Sequence, residues 1–308
     1  MYCPKHGFKN YKKVIDSNFT ALRFCSCRAT IKPKVVIFMG DTLKYPVLLV
    51  HGMGFRDDKR IGYWGRIPQV LRDTGCNVYL SNQDSNGSIQ SNGAFLQHRI
   101  QEVLAETGAE KVNVIAHSKG GLDTRYAISA LDCGKYVASL TTLATPHNGS
   151  KTVDRLMRLP TPLVRFVGFC ADCWCYFLGD HTPNSYHVFR SFTTAEADKF
   201  NTEHPDCPDV YYQSYAFVMQ NPFSDFFLWI PNIVVKKIEG ENDGLLPPES
   251  VKWSNFKGTF RGITGRGVSH LDEIDFRRRP LSKKRGDGVT DIADIYLQIV
   301  SSLQDQGF

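Results

Sequence analysis

A short apolar run passes directly into a glycine-containing turn at Val112–Gly121, where the sequence reads VNVIAHSKGG. The first five residues have the length and the β-branched content of a strand that is covered on both faces. A helix is predicted over 119–131. Ser118 therefore lies in a sharp strand-to-helix turn, a setting that raises a serine hydroxyl above the sheet as a nucleophile.

The neighbours of Ser118 suit a close approach of strand and helix. Ala116 and Gly120, two residues before and two after it, are both small. Ala116 stands where the common pattern G-x-S-x-G has its first glycine, a change of one methyl group. The turn alone also fits a serine that only caps a helix, so its interpretation as a nucleophile depends on the motifs that follow.

Strands and helices alternate along most of the chain. Further strands are predicted at 35–39, 46–50, 77–80, 139–143 and 259–263, and further helices at about 64–73, 94–106 and 291–303. This alternation predicts an α/β fold with a mostly parallel central sheet and helices on both faces. We expect residues 35–308 to form one such domain and residues 1–34 to form an N-terminal extension. Residues of about 150–240, rich in aromatics, proline and cysteine, are predicted to be an insertion over the sheet.

Composition sets limits on the function. Of the 308 residues, 42% are hydrophobic, enough for a large core, which excludes disorder as the main state. The net charge of +6 is too small and scattered to indicate nucleic-acid binding. No apolar run is long enough to span a membrane, and the first residues lack the apolar core of a secretory signal. These features predict a cytoplasmic chain, although secretion stays open.

A glycine-rich loop follows a predicted buried strand at His51-Gly52-Met53-Gly54. A serine that attacks an acyl carbonyl generates an oxyanion, which the site must stabilise with N–H donors. We expect the backbone amides of Met53 and Lys119 to be those donors, the latter at a helix N-terminus. A phosphate-binding loop is the alternative, but the lysine and helix pattern of such loops is missing.

A nucleophilic serine needs a base and an acid. On turns of this kind the partners follow in the order serine, acid, histidine. His270 is the last histidine of the chain, and many acids lie between it and Ser118. Asp243 stands out among them, at a turn 27 residues before His270 in the sequence Glu241-Asn242-Asp243-Gly244. We predict that Asp243 orients and stabilises the imidazole, although Asn-Asp-Gly alone is commonly just a turn.

Together these motifs resemble the true bacterial lipases, the triacylglycerol lipase family of the α/β-hydrolase superfamily. The matching stretches span residues 44–275 and are KYPVLLVHGMG at 44–54, VNVIAHSKGG at 112–121, ATPHNGS at 144–150, ENDGL at 241–245 and SHLDE at 269–273. The resemblance implies the hydrolysis of triacylglycerols or other carboxylic esters through an acyl-enzyme on Ser118. It implies no cofactor for this chemistry, a lipid or ester substrate met at a lipid–water interface, and a mobile lid.

The resemblance also implies that Asp272, two residues after the histidine, helps to bind a structural calcium ion. A further ligand is expected a few residues later, where this chain has Phe276 and Arg277. Calcium binding at Asp272 is therefore an expectation that the sequence only partly supports, and a solvated loop carboxylate is the alternative.

Three apolar stretches fit the lid. They are 163–169 and 174–178, with cysteines at 170, 173 and 175, and a second cluster at 222–230. Turning about five such side chains outward together would cost roughly 8–15 kcal/mol, so we expect this lid to open against lipid. Ordinary packing over the core is the alternative, and the cysteines are expected to be apolar fillers there.

Weaker signals lie near both ends of the chain. Cys3, His6, Cys25 and Cys27 have the number and type of ligands for a tetrahedral zinc site. The basic run at 277–279 and 283–285 is expected to be a solvated loop, with attraction to anionic lipid as an alternative.

Other functions also fit these motifs. A thioesterase, a polyester depolymerase or an acyltransferase would use the same machinery. A lipid-binding protein without activity and, from the arginine run alone, a nucleic-acid-binding module are the alternatives from other classes.

Overall fold

A six-stranded parallel sheet forms the centre of the protein, with its strands in the order β2-β1-β3-β4-β5-β6. The computed structural model describes residues 43–57, 62–263, 265–283, 286 and 288–308. The strands are β1 (Val47–Val50), β2 (Val78–Leu80), β3 (Val112–His117), β4 (Val137–Leu143), β5 (Tyr211–Val218) and β6 (Asn255–Arg261). The strand predicted at 35–39 and the zinc candidates Cys3, His6, Cys25 and Cys27 lie outside the described residues.

Ten α-helices occur in the described part of the chain. They are α1 (Ile67–Asp73), α2 (Ile89–Thr107), α3 (Lys119–Ala130), α4 (Lys151–Leu156), α5 (Thr161–Phe177), α6 (Ser185–Ser191), α7 (Thr194–Glu203), α8 (Trp229–Glu239), α9 (Pro248–Val251) and α10 (Ile292–Asp305). None of the helices described is long and apolar enough to cross a bilayer. The mostly parallel sheet with its helices has the α/β-hydrolase fold that the sequence predicts.

Alternating side chains of the central strands supply two separate cores. In β1, Val47 and Leu49 join the core beneath α1 and α10, whereas Leu48 and Val50 join the core beneath α2 and α3. Because neighbouring residues of a strand point to opposite faces, a strand apolar along its whole length must be covered on both sides. The fully buried β3 and β4 follow the same rule.

Most of the predicted helices differ from the observed ones only at their ends. Helix α2 begins at Ile89, five residues before the predicted start, because the Ser88 side chain accepts a hydrogen bond from the Ser91 amide and caps it. Gly93 lies inside α2, although the predicted helix begins one residue after it. A Cβ there would lie 2.5 Å from the Tyr126 ring, so the glycine allows α2 to approach α3 closely.

The region 150–240 differs more from the prediction. It contains β5, which lies inside the sheet between β4 and β6. The insertion is thus interrupted: α4–α7 precede β5, and α8 follows it. This strand was not predicted because its residues, YYQSYAFV, mix aromatic, polar and small side chains without a clear period, within a segment that is rich in aromatics.

Candidate active site

Ser118 lies at the C-terminal end of β3 in a strained backbone conformation. Its φ of 52° and ψ of −131° are unfavourable for any residue except glycine. The turn is fixed by the Ser118 amide, which donates to the Leu143 carbonyl at 2.9 Å, and by the Thr145 hydroxyl, which donates to the Ser118 carbonyl at 2.8 Å. These contacts with residues 143–145 hold the strained turn against β4.

Glycines are required where the chain packs against this turn. A Cβ on Gly120 would lie 2.5 Å from the His51 carbonyl oxygen, and one on Gly52 would lie 2.7 Å from the Ser118 Cβ. The loop 51–54 and the start of α3 therefore meet at the serine. The Gly52 and Gly54 amides donate to Tyr63 and Asn86, while the Met53 amide between them has no acceptor among the described residues. The Met53 amide is thus available as a donor, and its role with the Lys119 amide at the oxyanion stays a prediction.

His270 and Asp243 form a buried hydrogen-bonded pair. The His270 Nδ1 lies 2.8 Å from the Asp243 Oδ2, and the backbone amide of His270 donates to the Asp243 carbonyl at 2.8 Å. The other carboxylate oxygen, Oδ1, accepts from the amides of Leu245 and Leu246, each at 2.8 Å. With Nδ1–H committed to the carboxylate, Nε2 is left as the basic nitrogen.

The ring of His270 lies against the residue that precedes the serine. The ring centroids of His270 and His117 are 4.4 Å apart. Ser118 and His270 keep only 8% and 5% of their surface exposed. The structure therefore gathers at one end of the sheet the three residues that the sequence predicts as nucleophile, base and acid.

Glu273 is a buried member of this site that the sequence analysis did not single out. Its Oε2 lies 3.0 Å from His117 Nε2 and 3.9 Å from His270 Nδ1. Burial, together with its proximity to Asp243, raises the pKa of Glu273 well above its usual range and so favours the protonated carboxyl group. Its spacing of three residues from His270 was the available signal.

Hydrogen bonds define the protonation of His117. Gly52 N–H donates to Tyr63 Oη at 2.9 Å, so the Tyr63 hydroxyl is free to donate to His117 Nδ1 at 2.7 Å. His117 Nε2 then donates to Glu273. Burial and the neighbouring His270 lower the pKa of His117 well below its usual value, which agrees with a neutral ring.

A three-residue set at this point has ligand atoms within 4.8 Å of one another: His117, His270 and Glu273. Both His117 nitrogens and the Nδ1 of His270 already have protein hydrogen-bond partners. We therefore interpret the set as a proton-holding network around the base rather than a metal centre.

Lys119, which follows the serine, has a fully buried side chain. Its Nζ lies 2.7 Å from both carboxylate oxygens of Asp123, one turn later on α3, and Asn92 of α2 donates to the same carboxylate at 2.9 Å. The spacing of four residues places the two charges on one face of the helix. This ion pair anchors the first turn of α3, where the Lys119 amide is predicted to meet the oxyanion.

Asp272 does not have the surroundings that the resemblance implies. Its Oδ2 accepts from Arg266 and from the Ser269 amide, and its Oδ1 lies 3.1 Å from Arg277 Nε. A calcium ion requires six to eight oxygen ligands, whereas two guanidinium groups face this carboxylate. The predicted calcium site therefore does not fit these residues. The expectation that Arg277 is solvated is also wrong, because it pairs inward.

Apolar side chains cover the outer faces of α5 and α8. Among the described residues, every exposed large hydrophobic side chain except Phe95 and Leu245 lies in 156–234. Phe166 and Phe169 of α5 are each 63% exposed, and Phe226 is 82% exposed. Of the three cysteines on α5 predicted to be apolar fillers, only Cys175 is buried; Cys170 and Cys173 are exposed.

Comparisons with known proteins show which families this chain resembles. The family model described as palmitoyl protein thioesterase matches residues 46–218. Triacylglycerol lipase 2 of Saccharomyces cerevisiae is 29% identical over 80% of this chain and 75% of its own length. A triacylglycerol lipase of Pseudarthrobacter phenanthrenivorans is 40% identical over 53% of this chain and 54% of its own. This chain thus matches only about half the length of such a bacterial relative.

Solved structures share the fold. A metagenomic carboxyl esterase superposes with a TM-score of 0.65 at 17% identity, covering 86% of this chain and 77% of that one. The mature form of a Bacillus licheniformis lipase gives 0.58 at 22% identity, covering 79% and 91%. The resemblance to lipases predicted from the motifs is therefore confirmed.

Proposed function

This chain belongs to the palmitoyl protein thioesterase family, and we propose a mechanism for its action as a carboxylic ester hydrolase. Ser118 is the nucleophile, His270 the general base, and Asp243 the acid that orients it. The 2.8 Å hydrogen bond between His270 Nδ1 and Asp243, beside a serine held at positive φ, carries this proposal.

The reaction proceeds in two halves. Ser118 Oγ attacks the ester carbonyl and passes its proton to His270 Nε2, while the amides of Met53 and Lys119 hold the oxyanion. The intermediate collapses: the bond to the alcohol oxygen breaks, His270 returns the proton to that oxygen, and the acyl group stays on Ser118. Water, deprotonated by His270, then releases the carboxylic acid and restores the serine.

Neutral neighbours favour this base. Asp243 carries the negative charge that stabilises the protonated His270, whereas burial favours the uncharged forms of His117 and Glu273. A second full charge beside His270 would change its proton affinity. The network thus leaves Asp243 as the acid that responds to the proton on Nε2.

Triacylglycerols and other long-chain acyl esters are the substrates that we propose. The name of the Saccharomyces cerevisiae relative and the apolar faces of α5 and α8 support this choice. We propose that these helices act as the lid and that their exposed aromatic side chains meet the lipid–water interface. The N-terminal residues 1–34 remain, on this proposal, an extension to one hydrolase domain.

A fluorophosphonate probe tests the mechanism directly. The full chain should gain one covalent adduct, mapped by mass spectrometry to Ser118, and Ser118→Ala should abolish it. Ser129→Ala, in helix α3 that follows Ser118, is the matched control and should label as the unmodified protein does. Absence of an adduct would contradict the proposal and favour a lipid-binding protein without activity.

Thioester hydrolysis is the second candidate, favoured by the description of the family model. The same acyl-enzyme would form, but a thiol would leave in the first half. A palmitoyl ester and a palmitoyl thioester with matched leaving groups separate the two, and we expect a higher kcat/KM for the ester. A large preference for the thioester would reverse the order of the candidates.

A further inference from the structure

The loop that carries His270 is fastened by two buried carboxylates and two arginines. Asp225 precedes α8, and Asp272 lies two residues after His270; both carboxylates are almost fully buried. Between them, Ser269 donates its hydroxyl to Asp225 Oδ2 at 2.8 Å and accepts from the Asp272 amide at 3.1 Å. The residue immediately before the base is therefore held by both acids.

Arg277 reaches both acids at once. Its Nε lies 3.1 Å from Asp272 Oδ1, and its Nη2 lies 3.8 Å from Asp225 Oδ2 and donates to the Ser224 carbonyl. Arg266 completes the set by donating to Asp272 Oδ2. The remaining oxygen of Asp225, Oδ1, accepts from the Phe227 amide at 3.0 Å. Three of the four carboxylate oxygens thus accept hydrogen bonds, and the fourth, Asp272 Oδ1, is held by its ion pair with Arg277 alone.

The charges of this cluster balance. Two carboxylates carry −2 and two guanidinium groups carry +2, the charge that a divalent cation would bring. Two acids buried together without a cation would repel each other and lose their hydration. The planar guanidinium, which stays charged at all ordinary pH values, suits such a position better than lysine.

We propose that Arg277, assisted by Arg266, is a built-in cation that replaces a metal ion and positions the His270 loop. Arg277 acts as a positioning residue, since it touches neither Ser118 nor His270. The inference rests on the proposed function for its effect on turnover, but its effect on stability does not. It assigns to this chain an active site whose geometry is independent of calcium.

Thermal unfolding of the unmodified chain is the first test. We expect equal Tm values, within 1 °C, in 1 mM EGTA and in 5 mM CaCl₂, and unchanged ester turnover. A Tm that falls by several degrees in EGTA would overturn the proposal, because it would reveal a bound metal. This comparison needs no variant, so it stands even if a variant does not fold.

Arg277→Met is the second test, because it keeps most of the stem and removes the charge. We expect a Tm lower by about 5 °C, a reduced kcat with little change in KM, and partial recovery of both Tm and kcat in millimolar Ca²⁺. Terbium luminescence should show an ion bound to the variant, displaced by Ca²⁺, that the unmodified chain does not bind. Arg279→Met, from the same basic run, is the matched control and should change none of these quantities.

Two further outcomes decide the proposal. Adding Asp272→Asn to Arg277→Met should remove the response to calcium. An Arg277→Met variant with unchanged Tm and kcat would show that the arginine is dispensable and contradict the inference. Tm and terbium binding do not depend on ester cleavage, whereas fluorophosphonate labelling reports Ser118 alone, so failure of this inference and failure of the proposed hydrolase are distinguishable.

Discussion

Two regions of this molecule, the buried site around His270 and the outer faces of α5 and α8, differ in their exposure to water. At the carboxyl ends of β3, β5 and β6, ionisable groups such as Asp243, Glu273 and His117 are buried and hydrogen-bonded to one another. On α5 and α8, large apolar side chains face outward instead. Burial shifts the pKa values of His117 and Glu273 towards their neutral forms, whereas exposure of the apolar side chains would let them meet a lipid surface, as we propose. We therefore assign the chemistry to the buried site and propose substrate capture for α5 and α8.

The largest expected loss of activity comes from a change in the buried site. Ser118→Ala should lower ester turnover by about 10⁶-fold, since no acyl-enzyme can form. Initial rates on a soluble short-chain ester provide the measurement, and an unchanged Tm provides the control for folding. Retention of more than a tenth of the activity would remove the serine from the mechanism.

Asp243→Asn tests the orientation of the base. The amide can no longer accept the Nδ1 proton as a charged carboxylate does, so we expect kcat to fall by about 10³- to 10⁴-fold. Labelling of Ser118 by fluorophosphonate should slow in parallel. If kcat fell less than tenfold, Asp243 would not be the acid.

The contribution of the exposed side chains of α5 to activity should depend on whether the substrate is emulsified or dissolved. Replacing Phe166 and Phe169 by serine removes two large exposed rings, and we expect about a tenfold or greater loss of activity on an emulsified long-chain ester. Activity on a dissolved short-chain ester should stay within twofold. Phe95→Ser, which removes an exposed ring from α2, is the matched control. Equal losses of activity on both substrates would show that these side chains have no specific role in capturing emulsified substrate.

The smallest effect concerns the pH dependence of stability. Because the folded protein raises the pKa of Glu273, the folded state holds a proton that the unfolded chain releases above about pH 4.5. Stability should therefore fall as the pH rises from that value towards the folded pKa, by up to about 1.4 kcal/mol per pH unit. Glu273→Gln should remove this slope.

Thermal unfolding between about pH 5 and pH 8.5 measures it, because the unmodified chain and the variant share the titration of His117. The difference between the variant and the unmodified chain isolates the carboxyl group from the other titrations. Parallel Tm curves for the two proteins would show that Glu273 is ionised when folded.

The sequence was most informative where local chemistry and fold agree. The turn at Ser118, the glycines at 52 and 120, and the apolar strands around them can be read from spacing alone, because strain and close approach restrict these positions to few residue types. The prediction of Asp243 also required the order of the motifs along the chain. The location of His270 relative to Asp243 is a tertiary contact across 27 residues, which periodicity cannot provide.

What the sequence missed was determined by long-range contacts. Strand β5 mixes aromatic, polar and small residues without a clear period, and only its pairing with β4 and β6 makes it a central strand. The pairing of Arg277 with Asp225 joins residues 52 positions apart and reverses the expectation of a solvated arginine. Glu273 gained its role from burial beside His117.

Helix α5 also offers a practical route to observing the proposed lid. Cys170 and Cys173 are free, exposed thiols one turn apart on the helix, while Cys76, Cys133 and Cys175 are buried. A maleimide dye whose emission depends on solvent polarity would couple preferentially to such accessible thiols. With the cysteines at 3, 25, 27 and 207 replaced by serine, a blue shift on addition of lipid vesicles would report, in real time, the moment at which this helix leaves water.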